Sequence, residues 1–310
     1  SWDGVNDDFS EDCLYVNLHL DKRNLDSGTK VPIVYYIHGG GFNGGSNRGV
    51  YTALVQDENV MVISIAYRLG AFGFLWAPES ENPDAYPHSG NWGLIDQTQA
   101  MSWAQAWAGH FTGDVTQATL IGCSAGSESV WWHLVTPSSW PYFTGAVTVG
   151  VGLNAQTTAE LATEKWNGLL AGTACDGYEC LRGKTAAEIR AARDDYGVAP
   201  PIKLILTTDN YTPVVDGVTL LDQLVNLVSE GRIRPNTPIS FNYAEHDAFS
   251  FTVGGFKQMQ NVPAILSIED TIDAAVQQSG FDVPSDFFDQ WLAEIYCPEH
   301  LPAILEQFGC

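Results

Sequence analysis

A serine lies between two glycines in the segment GCSAG (122–126), which fits the pattern G-x-S-x-G. The apolar run QATLIG (117–122) precedes the serine, and a helical pattern follows it. In a strand–turn–helix of this kind the serine occupies a strained turn, and glycines flank it because side chains would collide with neighbouring backbone. The helix directs unsatisfied N–H groups and a partial positive charge towards a developing anion. The pattern predicts that Ser124 is a nucleophile, with a glycine-rich structural turn as the alternative.

A second glycine-rich segment, HGGGF (38–42), directly follows the apolar run VPIVYYI (31–37). Glycines at the exit of a strand leave backbone amides able to point at a substrate oxygen, which is what an oxyanion hole requires. A tight turn at the end of the strand is the alternative, but one or two glycines would suffice for it. Three glycines after a histidine, upstream of G-x-S-x-G, favour the oxyanion hole.

The rest of the chain alternates segments of strand character with segments of helical period. Nearly continuous apolar, β-branched runs predict strands buried on both faces, at 31–37, 59–67, 117–122, 144–152 and 237–243. Helical spacing predicts helices over 91–110, after Ser124, and over 157–172 and 185–195. A threonine that can cap the helix opens each of the last two. This alternation predicts an α/β fold with a mostly parallel central sheet flanked by helices.

The charge balance limits the classes of partner. Lysine and arginine number 14 against 37 aspartates and glutamates, a net charge of -23. Such a field repels nucleic acid and anionic membrane and leaves neutral or cationic partners, although solubility alone is a plainer interpretation. No apolar stretch approaches the roughly 20 residues that span a bilayer. We therefore expect no nucleic-acid partner and no membrane span.

Cysteines and a sequon indicate the compartment. The chain has 6 cysteines, which favours an oxidising environment. Cys175 and Cys180, in ACDGYEC, are spaced for a small disulfide loop rather than for a zinc or redox site. Asn210, in NYT, is a glycosylation sequon. Together these features predict a secreted glycoprotein.

Several segments occur in a fixed order along the chain. They are SEDCLYVNLHL (10–20), HGGGF (38–42), AYRLGAFGF (66–74), GNWGLIDQTQAMSW (90–103), GCSAGSES (122–129) and TPVVDG (212–217). In this order they resemble the type B carboxylesterase (cholinesterase-like) family of α/β-hydrolases, and the resemblance extends to about residue 250. It implies the α/β-hydrolase fold in a single domain over 1–310 that is incomplete at both ends. It also implies cap or lid helices over roughly 251–310.

The resemblance further implies the chemistry, which is hydrolysis of a small-molecule carboxylic ester through an acyl-enzyme, without a cofactor. Ser124 would attack the ester. The amides of Gly40, Gly41 and Ala125 would hold the oxyanion. The family also has a small disulfide loop where this chain has Cys175 and Cys180.

The triad acid of the family follows a late strand, and the corresponding stretch here is NYAEHDAFSF (242–251). This aligns Asp247 with the acid, and either carboxylate type can orient and stabilise an imidazolium. Glu245 is the alternative. One histidine with two acids in a row gives no metal-site geometry, so we expect no metal here.

A triad histidine is not identifiable in the chain. The α/β-hydrolase order is serine, acid, histidine, and the only histidine after Asp247 is His300, which lacks the surroundings of the family's catalytic residue. Loss of the triad histidine costs on the order of a million-fold in turnover. We therefore expect this chain alone to be nearly inactive, with the remainder of its own chain as a separate piece that completes it. The alternative is a catalytically silent binding, adhesion or structural protein.

Overall fold

The computed structural model describes residues 10–78, 90–150, 156–195 and 211–242. All of these belong to one compact unit. Within these ranges no helix combines the length and the apolar composition that crossing a bilayer requires. The expected lid helices over 251–310 lie outside the described residues, so the lid and the single domain over 1–310 stay predictions.

Six strands of the described residues form one sheet in the order β1-β3-β2-β4-β5-β6. They are β1 (Val16–His19), β2 (Val31–Ile37), β3 (Met61–Ile65), β4 (Gly113–Cys123), β5 (Gly145–Val149) and β6 (Ile239–Asn242). β1 pairs with β3 in antiparallel fashion, and the other pairs are parallel. The predicted mostly parallel sheet is confirmed.

The helices that accompany the sheet are mostly short. Their bounds are α1 (Lys22–Ser27), α2 (Thr52–Asp57), α3 (Ala71–Phe74), α4 (Trp92–Trp107), α5 (Ala125–Val135), α6 (Ala159–Thr173), α7 (Tyr178–Arg182), α8 (Ala186–Asp195) and α9 (Leu224–Ser229). Two 3₁₀ helices, Ala108–Phe111 and Pro137–Tyr142, follow α4 and α5. Thr158 caps α6 by accepting from Leu161 N–H at 3.4 Å. At α8, Glu188 N–H donates to the Thr185 hydroxyl while Thr185 N–H donates to the Glu188 carboxylate, which is a capping box.

The sheet is apolar on both faces because helices cover both. On one face Ile33, Tyr35 and Ile37 of β2 are fully buried in the main core, together with residues of α4 and α5. On the other face Val34 packs in a smaller cluster with Val55 of α2. This two-sided burial explains why the strands read as continuous apolar runs rather than as alternating ones.

The strand order reverses at the centre of the sheet. The chain passes from β2 to β3 on one side and then to β4 on the other side of β2. Crevices that bind ligands in open α/β sheets lie at the carboxyl ends of the strands where this reversal occurs. Those ends belong here to β2 and β4, which are followed by HGGGF and by Ser124.

Candidate active site

Ser124 occupies the strained turn that the pattern predicts. Its backbone has φ 55° and ψ -123°, a positive φ that few residues other than glycine adopt. Its N–H donates to the Val149 carbonyl of β5 at 2.9 Å, and its carbonyl accepts from Glu128 N–H in the first turn of α5 at 3.1 Å. The strain is held by backbone bonds on both sides, as is usual at functional turns.

The glycines around Ser124 are required by close backbone packing. A Cβ on Gly122 would collide with the Gly126 carbonyl, and a Cβ on Gly126 would collide with the Ile37 carbonyl at the end of β2. These two contacts bring the start of α5 directly against β4 and β2. The turn therefore belongs to the crevice at the centre of the sheet.

The HGGGF segment lies against the serine. A Cβ added to Gly39 would approach the Cys123 carbonyl oxygen to 2.6 Å and the Ser124 Cβ to 2.9 Å. Gly40, Gly41 and Phe42 follow with φ values of 113°, 59° and 61°. Phe42 fixes this tight turn to the core, because its ring is buried and meets the Phe74 ring edge-on at 5.0 Å.

Hydrogen bonds to the glycine carbonyls set the direction of the glycine amides. In a trans peptide the C=O of one residue and the N–H of the next point in opposite directions. The Gly39 carbonyl accepts from His38 Nδ1–H at 2.8 Å, which orients Gly40 N–H. The Gly40 carbonyl accepts from Asn43 N–H at 3.1 Å and Gly44 N–H at 3.0 Å, which orients Gly41 N–H.

The amides predicted for the oxyanion hole remain available. Among the hydrogen bonds of the described residues, none uses the N–H of Gly40, Gly41 or Ala125. Ala125 is the first residue of α5, where backbone N–H groups have no partner within the helix and the helix dipole favours negative charge. The structure thus brings Gly39, Ser124 and the start of α5 together at one place.

His38 supports the turn rather than acting as a base. Its ring is buried and stacks on the Tyr67 ring at 4.4 Å, and the Tyr67 hydroxyl donates to the His38 carbonyl at 2.8 Å. Burial lowers the pKa of the His38 imidazole. The neutral ring carries its proton on Nδ1, since the Gly39 carbonyl can only accept.

No histidine of the described residues hydrogen-bonds Ser124. His133, on α5, is fully buried between Gln97, which it meets through Nε2 at 3.0 Å, and Ser139, which it meets through Nδ1 at 2.9 Å. Burial lowers its pKa to about 3. It is therefore a neutral structural residue.

Several predicted site residues lie outside the described residues. They are Asp247, its alternative Glu245, the sequon Asn210, and His300. Their assignments stay predictions. Within the described ranges, no group of three or more histidine, cysteine, aspartate or glutamate side chains could hold a metal ion. The predicted disulfide between Cys175 and Cys180 is confirmed.

Two positioning residues were missed by the sequence analysis. Tyr67 and Asn43 both bond to the backbone of the glycine turn. Tyr67 reaches the His38 carbonyl through a tertiary contact, and Asn43 links the nearby Gly41 carbonyl to distant Tyr211, neither of which periodicity reveals. The only signal was proximity, because Asn43 directly follows HGGGF.

Comparison with known proteins places the chain in a family. The Carboxylesterase family matches residues 2–294. A Mus musculus cholinesterase is 35% identical over 241 residues, which cover 74% of this chain and 38% of the relative. A Dictyostelium discoideum protein named crystal protein is 33% identical over 228 residues, covering 72% of this chain and 40% of the relative. The chain thus spans roughly two fifths of the length of these relatives.

Solved structures agree with this assignment. A Geobacillus stearothermophilus carboxylesterase superposes with a TM-score of 0.77 at 28% sequence identity, covering 91% of this chain and 56% of that chain. A structure named PNB esterase gives a TM-score of 0.71 at 26% identity, covering 87% and 55%. The fold is the α/β-hydrolase fold, as the resemblance implied. The chain belongs to the carboxylesterase family.

Proposed function

We propose that the protein is a serine esterase that hydrolyses carboxylic esters through an acyl-enzyme on Ser124. One observation carries the proposal most directly. The glycine turn packs against Ser124. The N–H groups of Gly40 and Gly41 donate no hydrogen bond among the described residues, and the carbonyl in the same peptide as each N–H is held by a hydrogen bond that sets its direction. A structural turn has no need of such amides, because it could satisfy them within itself.

In the proposed reaction, Ser124 Oγ attacks the carbonyl carbon of the ester while its proton passes to a general base. The electron pair of the C=O bond moves to the oxygen, and the amides of Gly40, Gly41 and Ala125 donate to that oxyanion. Each such donor contributes roughly 3 kcal/mol to transition-state stabilisation. Collapse of the tetrahedral intermediate expels the alcohol, which takes the proton. Water then attacks the acyl-enzyme, and the acid and free Ser124 are released.

The general base is a histidine oriented by a carboxylate, for which we propose Asp247, with Glu245 as the alternative. We further propose that the histidine belongs to a part of the protein beyond the described residues. His38 and His133 support this proposal, since His38 bonds the Gly39 carbonyl through Nδ1 and both ring nitrogens of His133 are hydrogen-bonded within the core. The described part of the chain alone would then be nearly inactive, because loss of the triad base costs about a million-fold.

We propose neutral esters as the substrates and a secretory route for the protein. The family commonly has a glutamate immediately before the nucleophile, where cholinesterases use its charge for cationic substrates, and this chain has Cys123. A neutral thiol at that position lacks this local attraction for cations, even though the chain as a whole has a net charge of -23. The disulfide Cys175–Cys180 supports secretion, because such bonds persist in oxidising compartments.

A catalytically silent binding or adhesion protein is the second candidate. It is favoured by the lack of a hydrogen bond between Ser124 and any described histidine.

Ester turnover by the full-length protein tests the proposal. We expect hydrolysis of a neutral p-nitrophenyl ester, with a burst of p-nitrophenol when the acyl-enzyme accumulates. Ser124→Ala should abolish the burst and the turnover, whereas Ser229→Ala, which alters an exposed serine on α9, should change neither. Full-length wild-type protein without turnover on neutral esters of any chain length would favour the silent binding protein.

A further inference from the structure

Asn43 joins the glycine turn to a part of the backbone that lies 168 residues further along the chain. Its Nδ2 donates to the Gly41 carbonyl at 2.6 Å and to the Tyr211 carbonyl at 3.2 Å. Its Oδ1 accepts from Tyr211 N–H at 3.3 Å. The side-chain amide therefore pairs with both polar groups of Tyr211, much as a neighbouring strand would, while holding the glycine turn with the same NH₂ group.

These bonds act on two successive peptides of the glycine turn, the first of which carries a proposed oxyanion donor, Gly41 N–H. The Asn43 backbone N–H fixes the Gly40 carbonyl and so the direction of Gly41 N–H. The Asn43 side chain fixes the next carbonyl, that of Gly41. Glycines impose few conformational limits of their own, so a turn with three successive positive φ values needs external contacts to keep one geometry.

The other end of the Asn43 contact is firmly held. Tyr211 is buried, and the chain that follows it is bonded to Asn91 at the start of α4. Asn91 Oδ1 accepts from Val214 N–H at 3.0 Å, and its Nδ2 donates to the Val214 carbonyl at 2.8 Å. The segment that Asn43 contacts is thus anchored in the core by a second asparagine, whose side-chain amide also pairs with both the N–H and the carbonyl of one residue.

We propose that Asn43 is a positioning residue for the oxyanion hole, acting by tying the glycine turn to the Tyr211 backbone. The inference rests on the proposed esterase function. A displacement of about 1 Å at a catalytic group costs up to about 100-fold in rate. Asn43→Ala should therefore lower kcat by about 10- to 100-fold with little change in KM, since it loosens donors that act chiefly in the transition state.

The experiment uses the full-length protein, a neutral p-nitrophenyl ester and a trifluoromethyl ketone of matching acyl chain. The ketone forms a hemiketal whose oxyanion occupies the same hole, so its affinity should fall in Asn43→Ala in parallel with kcat/KM. A residue that only stabilises the fold would lower the active fraction but leave both values unchanged per active site. Active sites are counted by fluorophosphonate titration.

Two further variants sharpen the result. Asn43→Asp keeps the size and the bond accepted from Tyr211 N–H but loses both donated bonds, so it should show most of the loss even if Asn43→Ala folds poorly. Asn17→Ala is the matched control, because Asn17 of β1 also donates from Nδ2 to a backbone carbonyl, that of Asn47 at 3.1 Å, which is not a carbonyl of the glycine turn. It should retain the wild-type kcat and ketone affinity.

The outcomes separate this inference from the function on which it rests. Wild-type rates and ketone affinity in Asn43→Asp, alongside an active wild-type protein, would overturn the role of Asn43 and leave the esterase proposal intact. A wild-type protein that neither turns over the ester nor reacts with the fluorophosphonate would overturn the esterase proposal, and Asn43 would then have no reaction to position.

Discussion

The two glycine-rich segments at the centre of the sheet are held in different ways. The turn at Ser124 is fixed by contact between backbones, since Gly122 and Gly126 have no room for a Cβ. The HGGGF turn has the same steric limit at Gly39 and Gly40, but side chains also bond to its carbonyls, those of His38, Tyr67 and Asn43. Steric constraints leave a signature in the sequence, because they require glycine. The hydrogen bond from Tyr67, which lies 29 residues from His38, leaves none.

The first prediction concerns the nucleophile, whose replacement should abolish catalysis without destabilising the fold. Ser124→Ala should lower kcat of the full-length protein by about a million-fold. Its thermal midpoint should stay close to that of wild type, because alanine keeps the Cβ and must adopt the same positive-φ backbone. Steady-state kinetics and thermal unfolding measure the two effects. A retained fraction of activity above about one part in a thousand would show that another residue is the nucleophile.

The second prediction tests the steric constraint at the Ser124 turn. Alanine normally favours a helix over glycine by about 1 kcal/mol. Gly126→Ala should instead destabilise the protein by about 3 kcal/mol, since the new Cβ collides with the Ile37 carbonyl. Gly109→Ala is the control, because nothing lies within 4 Å of a Cβ there. Urea unfolding gives both values, and equal stabilities for the two variants would contradict the steric account.

The third prediction concerns the helix behind the nucleophile. Burial lowers the pKa of His133 to about 3 from an ordinary 6.5, so the unfolded state binds a proton that the folded state does not. The contribution of His133 to stability is fully present above about pH 6.5. It is lost as the pH falls towards 3, at about 1.4 kcal/mol per pH unit.

The pH dependence of urea unfolding between pH 6.5 and 5 measures this effect. His133→Gln should flatten the slope relative to wild type. Identical slopes for wild type and His133→Gln would show that His133 is not buried in its neutral form.

The fourth prediction tests the side-chain support of the glycine turn. Tyr67→Phe keeps the stacking on His38 but removes the bond to the His38 carbonyl, at a cost of about 1.5 kcal/mol in unfolding free energy. Tyr35→Phe is the matched control, because the Tyr35 hydroxyl is buried without a hydrogen-bond partner. That change should be neutral or slightly stabilising. If both tyrosines respond alike, the Tyr67 bond does not hold the turn.

Much of the fold could be predicted from the sequence. The apolar runs located β2 to β6, and the threonines before α6 and α8 marked real caps. β4 begins at Gly113 rather than at 117, because its first residues are polar and partly exposed and carry no apolar run. β1 and the short helices were not predicted, since four to six residues show too little periodicity to distinguish a helix from a loop.

The candidate site divides between residues fixed by steric constraint and residues that act through side-chain hydrogen bonds. Ser124, Gly40, Gly41 and Ala125 could be named from motifs, because their constraints require particular residue types in sequence. Asn43 could not be assigned a role, since its partner Tyr211 is 168 residues away. The triad acid and histidine depend on a resemblance rather than on local chemistry.

Fluorophosphonate labelling of the full-length protein tests the central claim, that Ser124 is an activated nucleophile beside an oxyanion hole. The account predicts a rapid, single adduct on the peptide that contains Ser124, detected by mass spectrometry, and its loss in Ser124→Ala. Labelling requires both an activated serine and donors for the phosphonyl oxygen, so it reports on the elbow and on the glycine turn together. An unlabelled Ser124 in folded, full-length protein would contradict the account and leave the silent binding protein.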